Sequence, residues 1–151
     1  METKEATVDI LNDLVQINND RIEGYDRAIK ELKDENQDLK DLFTRFIGES
    51  HKNKMELGTE IQAFGEDMPQ DSTASGSIYR AWMDVKAVFT GHSRKAILDN
   101  CEGGEDAAQR AYRAALKDEE LPAFLREIIT RQQEQLRAAH DEVKALRDSA
   151  Q

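Results

Sequence analysis

Six polar residues fall where an amphipathic helix should be apolar, and their spacing is that of a metal site. Asn18, Ser50, Glu105 and Gln132 lie near the centres of four apolar arcs when the chain is wound at about 100° per residue, with Asn53 on the face of Ser50 and Gln135 inside the arc of Gln132. Inside a helical bundle, a Glu from each of two helices and a Glu-x-x-His from each of two others would hold two iron ions. Groups at i and i+3 reach one ion from adjacent turns. Here the slots read Asn18, Ser50-x-x-Asn53, Glu105 and Gln132-x-x-Gln135. Glu105 alone keeps ligand chemistry. Amides are weak ligands for iron, and no Glu-x-x-His occurs in the chain. The expectation is a polar core layer with no metal and no catalytic residue. A bare buried carboxylate is costly, so Glu105 needs partners. Arg21, one turn beyond Asn18, is the predicted cation, the layer's amides and Ser50 are further predicted partners, and Tyr25 and Tyr112 lie nearby.

The alternative is an atypical iron or manganese site that combines His140 with Glu102 or Glu105. His51 and His92 read as solvent-exposed. Cys101 faces inward and reads as a small core residue. No Ser-His-Asp arrangement or phosphate-binding glycine loop is present.

Four long helices must position these residues. Apolar spacing of three and four predicts them over about residues 4–32, 37–64, 93–117 and 122–150. Asp34 or Asn36 is a plausible N-cap for the second, and Pro122 suits the start of the fourth. Between the second and third, "GEDMPQDSTASGS" breaks periodicity. "IYRAWMDVKAVFTG" then reads as a short helix carrying Tyr79, Trp82 and Phe89. A long crossover over residues 65–91 gives the connectivity of a ferritin-like bundle rather than an up-down-up-down one. Gly103 and Gly104 sit in mid-helix, each costing about 1 kcal/mol relative to Ala, and predict a close approach or a bulge.

The chain also repeats itself. "ILNDLVQINNDRIEGYDRAIK" (10–30) aligns without a gap on "ILDNCEGGEDAAQRAYRAALK" (97–117), pairing Leu11 with Leu98 and Tyr25 with Tyr112. After a turn, "DLKDLFTRFIGES" aligns with "ELPAFLREIITRQ", pairing Ser50 with Gln132. The fold class expected is all-α: a four-helix bundle of two duplicated hairpins in a single domain.

The segments "NDLVQINNDRIEGY", "AWMDVKAVFTG", "CEGGEDAAQRAYRAAL" and "AAHDEVKALRD" carry a further likeness. Over nearly its whole length the chain resembles an uncharacterised bacterial four-helix-bundle family classed as ferritin-like. That resemblance implies the bundle and a distant relationship to rubrerythrin and bacterioferritin. It implies no activity.

Bulk properties exclude some partners. The 151 residues carry a formal net charge of -10, which disfavours a nucleic-acid backbone or an anionic membrane. No window approaches the ~18 apolar residues of a membrane span, and the first residues lack a basic region followed by an apolar run. One cysteine cannot form an internal disulfide. These features fit a cytoplasmic protein. Two function classes remain: a metal-free bundle acting by self-assembly (a homo-oligomer covering the Trp82 face) or by partner binding, and a metal-dependent oxidoreductase or metal store with an atypical site. The ligand-poor slots favour the first.

Overall fold

The computed structural model describes residues 2–65 and 93–150. Four long helices account for nearly all of these: α1 (Glu2–Glu31), α2 (Gln37–Ala63), α3 (Arg94–Leu116) and α4 (Ala123–Ser149). A single 3-10 turn, Asp34–Asn36, precedes α2. The expected boundaries agree within about two residues. The expected short helix, with Tyr79, Trp82 and Phe89, lies outside the described residues, as does His92.

Local chemistry explains the ends. The Ser93 hydroxyl accepts from the Ala96 amide at 3.1 Å, an N-cap that satisfies one of the first-turn donors of α3. Pro122 takes the cap position of α4, where its missing N–H costs nothing. Gly65 follows α2 with φ of 84°, a left-handed conformation that terminates a helix and favours glycine. Asn36 sits at the cap position of α2 but makes no cap bond; its side-chain oxygen instead accepts from Arg94 at 3.2 Å, and Arg94 also grips Asp38.

Inter-helix bonds fix the topology. Between α1 and α3, Asn18 meets Tyr112 and Arg21 meets Glu105, so the partner number falls as the chain advances. The helices are therefore antiparallel. The same test makes α2 antiparallel to α4, through Arg45–Glu142 and Arg131–Glu56. The α1–α2 and α3–α4 hairpins are antiparallel as well. It follows that α2 and α3 run parallel. The end of α2 and the start of α3 therefore lie at opposite ends of the bundle. This is the arrangement that separates a ferritin-like bundle from an up-down-up-down one.

The interior is apolar at both ends and polar in the middle. One apolar cluster gathers Tyr25, Leu39, Phe43, Phe46, Leu98, Cys101 and Val143. The other gathers Leu11, Leu14, Leu57, Ile61, Tyr112, Leu125, Ile129 and Leu136. Each fully buried Leu, Ile or Phe contributes roughly 1.5–3 kcal/mol, and these clusters hold the helices together. The duplicated positions keep their roles: Leu11 and Leu98 are buried, as are Tyr25 and Tyr112 and the Ala28–Ala115 pair. Gly103 departs from expectation. A Cβ built there meets nothing within 4 Å, so no close approach explains it.

Candidate functional site

Between the two apolar clusters lies a polar layer with two distinct parts. The first is ionic. Arg21 extends from α1 and is 1% exposed; Glu105 extends from α3 and is also 1% exposed. Arg21 Nε donates to Glu105 Oε1 at 2.7 Å and Nη2 donates to Oε2 at 2.9 Å, a two-pronged ion pair. The remaining nitrogen, Nη1, donates to Ser50 Oγ at 2.7 Å and to the Phe46 carbonyl at 3.1 Å. Both contacts lie on α2, so one guanidinium ties three helices. Its central carbon lies 5.2 Å from the ring centroids of both Tyr25 and Phe46, a position over two rings that favours a cation. Glu49 approaches at 4.0 Å from the partly exposed side.

Electrostatics follow from this burial. Loss of solvent opposes the Arg21 charge, but the Glu105 carboxylate outweighs it and holds the guanidinium pKa above its ordinary value. Burial, then the nearby Glu105 charge, pushes the Tyr25 phenol well above its ordinary range. The same two causes push the Cys101 thiol well up. A thiol held protonated is a poor nucleophile and a poor metal ligand, which matches its reading as a core residue.

The second part is a neutral relay. Asn18 Nδ2 donates to Tyr112 Oη at 2.8 Å, and the Tyr112 hydroxyl donates to Gln132 Oε1 at 2.8 Å. Gln132 Nε2 in turn donates to Glu56 Oε1 at 2.8 Å and to the Asn53 carbonyl at 3.3 Å. Asn53 Nδ2 reaches back to Asn18 Oδ1 at 3.5 Å. Glu56 then meets Arg131 at 2.5 Å on the surface. Among the described residues, buried amides and the Tyr112 hydroxyl thus satisfy one another in a ring that reaches the surface through Glu56.

The structure brings Asn18, Ser50, Asn53, Glu105 and Gln132 into the core layer, with Arg21, Tyr25 and Tyr112 around them. It leaves Gln135 out. Gln135 is exposed, because the buried stripe of α4 runs Ile129, Gln132, Leu136, Ala139, Val143, and Leu136 takes the inward slot one residue later. The partners also differ in part from expectation. Arg21 holds the carboxylate of Glu105 as expected, but the side-chain amides expected beside it bond instead to one another and to Tyr112 and Glu56. Two contributors were not visible in the sequence. Glu56 lies three residues past Asn53, a helical spacing that could have suggested it. The Phe46 carbonyl leaves no sequence signal.

His140 forms a separate cluster away from the layer. Its Nε2 lies 2.7 Å from Asp106 and its Nδ1 3.1 Å from Asp141. Glu102 stands beside them, so that donor atoms of Glu102, Asp106 and His140 fall within 4.8 Å of one another. Glu105 is turned into the core, to Arg21. Of the alternative set named from sequence, Glu102 and His140 stand together and Glu105 does not join them; Asp106 stands beside them instead. His51, by contrast, is exposed.

Comparison with known proteins agrees with this architecture. A family described as a domain of unknown function, DUF2383, matches residues 6–118. The chain belongs to the DUF2383 family. Among solved structures it is similar to a mutant of Mycobacterium smegmatis Dps1, with a TM-score of 0.80. That likeness covers 97% of each chain at 12% sequence identity and establishes the ferritin-like fold. No curated protein matches. The family match ends before α4, so Gln132 and His140 lie beyond it. No helix among the described residues is long and apolar enough to cross a membrane.

Proposed function

We propose that this DUF2383 chain is a ferritin-like bundle whose interior has exchanged metal chemistry for an internal cation, and that it acts through self-assembly or partner binding. One observation carries the reading. The carboxylate of Glu105, the one slot with ligand chemistry, is engaged at both oxygens by the buried Arg21 guanidinium. A dication entering beside Arg21 would meet a positive charge and a carboxylate with no free oxygen. The other buried slots offer Asn, Ser and Gln, whose polar atoms already bond one another, Tyr112 or Arg21. This donor set does not suit iron or manganese.

Surface features support assembly more weakly. Met55 is 61% exposed and Phe124 55% exposed, although single exposed apolar residues are common. The test measures metal content and mass together. Protein carrying His140→Ala, purified without chelator, should hold no stoichiometric iron or manganese; finding either near one per chain would mean the interior site is alive. Light scattering at micromolar concentration should report more than one chain per particle. A monomer that captures no protein partner overturns the assembly reading.

A further inference from the structure

We propose that Glu102, Asp106 and His140 form a binding site for a first-row divalent cation, with zinc the best-matched ion, on the outer face of the α3–α4 hairpin. This is independent of the reading of the bundle interior. Glu102 and Asp106 are four apart on α3, so both carboxylates leave the same face on successive turns. His140 comes from the antiparallel helix at the same level. The three donors lie within 4.8 Å of one another. Zinc bonds oxygen and imidazole nitrogen at about 2.0–2.2 Å, which sets tetrahedral ligand atoms about 3.4 Å apart, so the wider separations have to close, while His140 Nε2 and Asp106, now 2.7 Å apart, have to open.

The site is prepared in ways an incidental cluster is not. Asp141 sits 3.1 Å from His140 Nδ1, so the imidazole is oriented by a carboxylate behind it and presents Nε2 towards Asp106. Zinc-bound histidines are habitually held this way. The His140 and Glu102 side chains are only 17% and 14% exposed, which limits their motion, while Asp106 is 48% exposed and open to solvent. Asp106, His140 and Asp141 line an open cleft of about 340 Å³, room for the water ligands that complete a three-donor site. One imidazole with two carboxylates favours zinc over magnesium or calcium, which prefer oxygen alone.

Arg147 is the competitor. It pairs with Glu102, and it also has Asp99 at 3.5 Å and Asp148 at 2.8 Å. Those two carboxylates give it a place to go when Glu102 turns to an ion. The duplication supplies a contrast: the matching positions in the first hairpin are Val15, Asn19 and Gly58, which cannot form such a triad. The site is therefore particular to the second hairpin, where an ion would clamp α3 to α4.

The experiment is calorimetric titration of chelator-treated full-length protein with zinc chloride, beside thermal melting with and without zinc. The wild type should bind one zinc per chain and melt higher with it. His140→Ala and Asp106→Asn should each weaken binding by at least about tenfold and remove the thermal shift, while Asp141→Asn weakens it about tenfold. Arg147→Gln should tighten binding, a gain that no folding defect can imitate. His51→Ala should bind as the wild type does. Absence of wild-type binding overturns the proposal. So does binding that persists in His140→Ala, or binding that Arg147→Gln leaves unchanged.

Discussion

The two tyrosines related by the duplication have come to serve opposite environments. Tyr25 lies among rings, 5.0 Å from Phe43 and 5.3 Å from Phe46 between centroids, with the Arg21 charge over its face. Tyr112 lies at the centre of a neutral relay, accepting from Asn18 and donating to Gln132. The backbone positions match, yet the slots beside them diverged: Asn18 in one hairpin corresponds to Glu105 in the other, and Ser50 to Gln132. A duplicated scaffold therefore fixes where a polar group must stand, not which one. Ionic and neutral solutions sit about one helical turn apart in the same core.

The largest effect should come from breaking the ionic half. Glu105→Gln removes the counter-charge of a buried guanidinium and should cost about 3–5 kcal/mol in denaturant unfolding. An amide is no adequate substitute, since its partner is a cation rather than another amide. Replacing both members, as Arg21→Met with Glu105→Leu, should recover most of that loss, because no lone charge is left. If the double variant is less stable than either single one, the pair is worth more than its desolvation cost and the comparison must be redrawn.

Breaking the neutral half should cost less. Tyr112→Phe leaves an Asn18 donor and a Gln132 acceptor without the hydroxyl, for a loss of about 1–3 kcal/mol by the same measurement. A loss as large as that of Glu105→Gln would mean that the relay, not the ion pair, dominates the layer. Gly103→Ala lies on the same helix as Glu105 but points into open space. It should stabilise by up to about 1 kcal/mol, which thermal melting would detect.

The smallest effect is the pH dependence carried by His140. Burial opposes its charge, but Asp141 and Asp106 outweigh that and raise its pKa. A raised pKa means that the folded state holds the proton more tightly. The resulting stability is fully present below the ordinary imidazole value of about 6.5 and fades as pH rises through the elevated one. In metal-free protein, Tm should fall slightly over that window in the wild type and stay flatter in His140→Gln. A wild-type rise would reverse the sign of the coupling.

Helix placement was legible because long stretches with apolar residues every three or four positions leave little choice of element. The crossed connectivity was legible because a long stretch, opened by the aperiodic "GEDMPQDSTASGS", separates the two helix pairs. Burial of Glu105 was legible from its place at the centre of an arc. Its pairing with Arg21 was legible too, from the place of Arg21 one turn beyond Asn18, but the bonding of the amides to one another and to Tyr112 was not, since a wheel shows facing directions but not which side chain reaches across. Arg21 has the length and the fork to do so. Gln135 failed for a related reason: Gln132 is near the centre of its stripe, but the stripe leans towards Leu136, and a step of one residue is about 100°. The His140 cluster depends on the register between α3 and α4, which neither helix encodes alone.

The Arg21 guanidinium has a consequence for how this core is supplied. An ion is acquired from the surroundings, exchanged and lost, and its occupancy follows concentration. A side chain is delivered by translation, one per molecule, and remains attached by covalent bonds. Its charge persists across the physiological pH range and it has no second oxidation state to visit. On the proposed reading, the ionic centre of this bundle is therefore indifferent to chelators and to metal scarcity, and every copy leaves the ribosome already loaded.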